Sequence, residues 1–119
     1  MQINSYRDLA AWQQSMDLIV AVYQTTKSWP KEETFGLTSQ ARRSAVSVAA
    51  NIAEGRDNLG SYVQFLRISQ GSLKELETHL LVANRVGIAT EAETQPLLTQ
   101  ADTVGKILRG LIRKLSEGL

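Results

Sequence analysis

The chain has no cysteine. That excludes disulfides, thiolate zinc sites and thiol nucleophiles, and it fits a reducing compartment. Its one histidine, His79, removes most of the remaining metal chemistry. Di-iron bundles take two Glu-x-x-His units, whereas Glu75 and Glu77 stand at other spacings from His79. These two glutamates also point about 200° apart on a helix, so they do not pair as acid and base. A glycine-rich phosphate loop is missing too. The expectation is a protein that is not an enzyme and carries no metal or cofactor. Apolar runs are short: Leu18–Tyr23 is the longest, far below the ~20 residues of a membrane span. The segment MQINSYRDLAAW lacks the basic-then-apolar pattern of a secretion signal. A cytoplasmic protein without membrane contacts is therefore expected. Formal net charge is only +1, so no global field draws the chain to nucleic acid, and any such binding must come from a local patch.

With only two prolines and no short alternating β-branched runs, the chain reads as all-α. Its 119 residues make one domain, residues 1–119. Helices are expected at about 6–28, 38–54, 61–86 and 91–117. Ser5 with Asp8 approximates a capping box for the first, and Leu9, Trp12, Met16, Ile19 and Tyr23 form its core stripe. Pro30 ends it, and a short turn over Pro30–Phe35 stops at Gly36. Thr38 and Gly55 are the candidate start and stop of the second helix. Tyr62, Leu66, Ser69, Leu73, Leu76, Leu80 and Ala83 define the core line of the third, which Gly87 closes. Thr90 and Glu93 make a second capping box, but Pro96 sits awkwardly behind it, so the regular part of the last helix is alternatively placed from Thr94. Leu97, Ala101, Val104, Leu108, Leu111 and Leu115 follow as its core. Short connections predict antiparallel, up-down-up-down packing.

Two features point to assembly. Gln40, Ser44, Ser47, Asn51 and Glu54 recur at steps of three and four, a polar stripe on a helix otherwise rich in small apolar residues. Such a stripe needs hydrogen-bond partners, and a seam with a neighbouring helix or subunit is the favoured one. Leu18–Tyr23, by contrast, is apolar on every side, and similar excess appears at Ala45–Ala50 and Leu80–Ala83, which predicts that the first and second helices also meet other subunits. Gly71, in the middle of the third helix, is expected to face the second helix or a subunit neighbour.

Two basic clusters are candidate nucleic-acid contacts. Lys106, Arg109 and Arg113 form a strip on the last helix with Lys114 beside it; the alternative is a solvated face answering the helix dipole. Arg42 and Arg43 are divided between phosphate contact and a salt bridge at a bundle or subunit contact. The aromatics Tyr6, Trp12, Tyr23, Phe35 and Phe65 fall on core stripes or helix ends. Trp29 is the best exposed candidate, with packing over a helix end as the favoured alternative.

YRDLAAW at Tyr6–Trp12, WPKEETFGLTSQARRSAVS at Trp29–Ser47, NIAEG at Asn51–Gly55 and FLRISQGSLKELETHLLVA at Phe65–Ala83 together resemble the bacterial four-helix-bundle proteins encoded within intervening sequences of large-subunit ribosomal RNA. The resemblance spans Tyr6 to Leu115. It implies a left-handed antiparallel bundle that assembles as a homopentamer. The chain is also similar to accessory proteins of diversity-generating retroelements, pentameric bundles that engage reverse transcriptase and nucleic acid. RNA or DNA, a reverse transcriptase and further copies of the chain are thus the implied partners. Two departures stand out. Ala49 occupies a position where the family often has proline, and the loop after NIAEG is shortened to RDNLGS. Repeated five times around an axis, weak basic contacts would add by multivalency. A scaffolding oligomer without direct nucleic-acid contact is the alternative function.

Overall fold

A computed structural model describes residues 5–117; the first residues of the segment read above for a secretion signal lie outside them. The fold is all-α, with four helices packed together and no strand among the described residues: α1 Ala10–Thr26, α2 Leu37–Asp57, α3 Tyr62–Arg85 and α4 Glu91–Glu117. Short 3-10 turns occupy Tyr6–Asp8, Lys31–Glu33 and Leu59–Ser61. Each long helix touches two others, in the cycle α1–α2–α3–α4–α1, and the α2–α3 contact is the most extensive. The molecule measures 46 × 23 × 20 Å. Helices of 24 and 27 residues, α3 and α4, are about 36–40 Å long at 1.5 Å per residue, so they run most of that length. Among the described residues no helix is long and apolar enough to cross a membrane.

Helix ends follow local chemistry, with corrections at three of them. Ser5 caps the 3-10 turn rather than α1: its Oγ accepts from the Arg7 N–H at 3.1 Å, and extended Leu9 then separates the turn from the helix. Thr38 lies inside α2; Glu33 does the capping instead, its Oε1 accepting from the Leu37 N–H at 3.0 Å. Gly55 does not stop α2, which runs unbroken through Ala49 to Asp57. Gly87 does end α3, with φ 81°. The Ile88 N–H donates to the Ala83 carbonyl at 2.9 Å and the Gly87 N–H to Asn84 at 3.2 Å, the paired bonds of a Schellman stop. Thr90 and Glu93 form a reciprocal capping box: the Glu93 N–H donates to Thr90 Oγ1 at 3.2 Å, and the Thr90 N–H donates to Glu93 Oε1 at 3.0 Å. α4 starts there, ahead of Pro96, whose ring faces solvent in the second turn.

The core is built from Leu18, Val22, Val48, Ile52, Leu66, Leu76, Leu80, Leu97, Val104 and Leu108, all with 2% exposure or less. Every position of the expected α3 line is buried. In α4 Ile112 replaces Leu111 and Leu115, which are half-buried. The correction in α1 is larger. Ala11, Ser15, Leu18, Val22 and Thr26 face inward, while Met16 and Tyr23 are 37% and 40% exposed. The inner stripe is the expected one displaced by one residue, or about 100° of rotation. Of the expected stripe, Leu9 is buried and Trp12 and Ile19 are half-buried against the core, while the smaller Ala11 and Ser15 let neighbouring helices come close.

Several buried serine and threonine hydroxyls bond locally or across helices. Ser15 donates to the Ala11 carbonyl at 2.7 Å and Thr26 to Val22 at 2.8 Å. Ser69 crosses from α3 to the Val48 carbonyl of α2 at 2.8 Å, and Thr94 of α4 reaches Asn84 Oδ1 at 3.0 Å. The tightest approach is at Gly55, where an added Cβ would sit 2.8 Å from Phe65 Cβ and 3.0 Å from Tyr62 Cδ1. Burial beneath this contact raises the Tyr62 phenol above its ordinary pKa, with Arg56 pulling the other way.

Two predictions follow from these contacts. Gly55→Ala should destabilise by about 1–3 kcal/mol, since a Cβ anchored to one helix would collide with a Cβ anchored to another. Gly71→Ala, where a Cβ meets nothing within 4 Å, should instead stabilise by about 0.5–1 kcal/mol through helix propensity; urea unfolding of both variants checks the contrast. Hydrogen bonds from Thr90 lower the Glu93 pKa below its ordinary value. The cap's contribution should therefore be complete above the ordinary glutamate pKa and lost as pH falls through the lowered one. Thermal melts across that acid range should show this loss in the wild type and a flatter profile for Glu93→Gln.

Candidate nucleic-acid interface

α4 turns its buried line, Leu97, Ala101, Val104, Leu108 and Ile112, inward. Residues Lys106, Arg109 and Arg113 are consequently exposed along its outer side, and Lys114 is exposed beside them. Lys106 Nζ lies 3.2 Å from Asp102 Oδ2, one turn earlier, with both side chains largely in water. Such a pair contributes little to stability and is easily exchanged for another anion. Among the described residues no ion pair engages Arg109, Arg113 or Lys114. Arg109 folds back along its own helix, its Nη1 3.3 Å from where a Cβ on Gly105 would stand.

The other cluster is divided in role. Arg42 is half-buried, with its guanidinium 4.5 Å from the centre of the Tyr23 ring. Its Nε–H donates to Thr26 Oγ1 at 2.9 Å, and Nη2 lies 3.5 Å from the Tyr23 carbonyl oxygen. Arg42 thus ties α2 to α1 through a ring face and a hydroxyl, without an ion pair among the described residues. Arg43 is exposed and borders a shallow groove of about 340 Å³ shared with Tyr23, Phe35, Thr38 and Ser39. Phe35 there is 96% exposed, whereas Trp29, the aromatic that the sequence offers as best exposed, is only 6% exposed. The residues of this groove come from both sides of the α1–α2 connection, and no periodicity within one helix joins them.

The polar stripe of α2 separates into a seam and two exposed ends. Ser47 shares a 2.8 Å hydrogen bond with the Ser72 hydroxyl of α3. Asn51 Nδ2 donates to the Ser47 carbonyl at 2.9 Å and to its Oγ at 3.1 Å. Buried Ser44 donates within its own helix, to Gln40 and Ala41 carbonyls at 3.0 Å each. The side chains of Gln40 and Glu54 are exposed. Within this chain Gly71 does not face α2, one of the two neighbours expected for it. It is exposed and lines a groove of about 410 Å³ between α3 and α4, together with Arg67, Gln70, Lys74, Gly105 and Arg109. Sequence reading picked out Arg109 and Gly71 but missed Arg67 and Gln70. The available signal was their spacing from Gly71 and Lys74 on one face of α3.

Exposed cations gather here, Arg67, Lys74 and Arg109 around the α3–α4 groove and Arg113 and Lys114 beyond it. A protein of unknown function from the S23 ribosomal protein family of Bacteroides thetaiotaomicron has a similar fold, with a TM-score of 0.76 at 20% identity, covering 87% of this chain and 98% of that one. No curated protein matches the chain. Residues 7–110 match the family described as 23S rRNA-intervening sequence protein, which is most of the chain and includes Arg42, Arg43, Lys106 and Arg109. The chain belongs to the 23S rRNA-intervening sequence protein family.

Proposed function

We propose that the protein is a non-enzymatic, cytoplasmic nucleic-acid-binding bundle, or accessory to a nucleic-acid enzyme such as a reverse transcriptase, working as a homopentamer of antiparallel, left-handed up-down-up-down units. The observation that carries the binding is the exposed strip Lys106, Arg109, Arg113 and Lys114, in which only Lys106 has an ion-pair partner among the described residues. A chain of net charge +1 gains little from long-range attraction. Repetition of the strip around an axis supplies what one copy lacks. Assembly is supported by the outer face of α1, where Met16, Val20 and Tyr23 are 37%, 53% and 40% exposed at helical spacing. A contiguous apolar stripe of this kind marks an interaction surface.

A second reading, a scaffold acting through protein contacts alone, is favoured by Phe35. An aromatic 96% exposed beside Arg43 resembles an interface anchor.

Gel shifts on RNA and DNA should weaken steeply from 50 to 200 mM salt, with the slope of log K against log salt reporting the phosphates neutralised. Arg109→Glu with Arg113→Glu should lower that slope by about 2 for each engaged strip. Absence of binding at low salt, or binding insensitive to salt, would favour the scaffold. Sedimentation at micromolar concentration should give a pentamer, and Val20→Glu should shift it to folded monomer. A compact wild-type monomer would end the assembly proposal.

A further inference from the structure

We propose that the groove between α3 and α4 is a seat for one phosphate group of a nucleic-acid strand, held by Arg67 from α3 and Arg109 from α4. The inference rests on the nucleic-acid reading above and gives it a specific place.

Four observations on the groove converge. Arg67, Gln70, Gly71 and Lys74 follow one another at helical spacing on α3, and Asp102, Gly105 and Arg109 do the same on α4, so two short faces line one concavity. The acids in it are already answered: Glu77 Oε1 lies 2.9 Å from Lys74 Nζ, and Asp102 Oδ2 lies 3.2 Å from Lys106 Nζ. Neither pair takes up Arg67 or Arg109, which leaves two guanidinium charges on the groove without an acidic partner among the described residues. Finally, two glycines shape the space. A Cβ on Gly71 would meet nothing within 4 Å, so the α3 wall is open there. Gly105 is buried against Leu73, and its missing side chain lets Arg109 lie back along α4, Nη1 at 3.3 Å from the Cβ position.

Two guanidinium forks with a nearby Gln70 amide match the chemistry of a phosphate oxyanion, which accepts several charge-assisted hydrogen bonds at once. The volume of about 410 Å³ lies in the range of small-ligand sites and leaves room for the attached sugars. Because the groove opens to solvent, a phosphodiester can extend from it in both directions. The strip residue Arg113 does not line the groove. Its contribution should be diffuse attraction, whereas the groove should impose a steric requirement.

Gly71→Leu tests that requirement, since it adds bulk to the groove lining without altering charge, at a position where a Cβ itself meets nothing within 4 Å. Fluorescence anisotropy of a labelled single-stranded oligonucleotide on the full-length protein should give about tenfold or weaker affinity for Gly71→Leu and for Arg67→Gln. Arg113→Gln should produce a smaller loss, removed by salt. Inorganic phosphate added to the wild type should shift the amide resonances of residues 67–74 and 102–109 selectively. The proposal is overturned if both Gly71→Leu and Arg67→Gln, folded by circular dichroism, bind the oligonucleotide as tightly as wild type while Arg109→Glu with Arg113→Glu does not. In that case nucleic-acid binding by the outer strip still stands. Phosphate shifts confined to the groove with no oligonucleotide binding would keep an anion seat and remove the nucleic-acid function. Neither response would remove both.

Discussion

The close approach of α2 to α3 is the constraint around which the rest of the molecule is arranged. At Gly55 a helix backbone meets Phe65 and Tyr62 so tightly that a single added methyl group would force the packing to shift. Further along the same pair, Ser69 reaches the Val48 carbonyl and Ser47 meets the Ser72 hydroxyl. Small residues allow this proximity, and hydroxyl groups hold it in one register by making any slip leave buried polar atoms without partners. Once α2 and α3 are fixed, α1 and α4 complete the packing from either side. Arg42, Tyr23 and Thr26 then tie α1 to α2, while Gly105 against Leu73 brings α4 onto α3.

Charge is distributed over this frame in two ways. Some cations are used within the chain: Lys74 and Lys106 answer acids one turn away, and Arg42 lies on an aromatic ring. Others, Arg43, Arg67, Arg109, Arg113 and Lys114, are exposed and without an ion-pair partner among the described residues. The first group gives shape and the second is available to a partner. A protein with almost no net charge can therefore carry local electropositive surface.

The positions that sequence reading placed well share one property: their role is decided by neighbours within a few residues. The Thr90–Glu93 capping box, the Gly87 stop and the α3 core line from Tyr62 to Ala83 are all of this kind. Misplacements occurred where local signals were degenerate. In α1 two apolar stripes lie side by side, and periodicity alone does not choose between Trp12–Met16–Ile19–Tyr23 and Ala11–Ser15–Leu18–Val22. Gly55 and Gly71 both read as helix-breaking or helix-approaching residues, yet one is buried against Phe65 and the other faces open space. Candidate site residues were legible as a basic strip on α4. That Arg109 shares a groove with Arg67 was not, because α3 residues become its neighbours only after the chain has turned back.

By itself, then, the sequence determined the helical class, the number of long helices, the stop of α3, the cap of α4 and the family to which the chain belongs. Those features arise from backbone propensity, short-range hydrogen bonding and periodic burial, all written within windows of a few turns. Only the tertiary structure decided which face of α1 is inner, which glycine serves a close approach, and which arginines are held within the chain. Each of those depends on what another helix places opposite, and that is a property of the packed molecule rather than of any one segment.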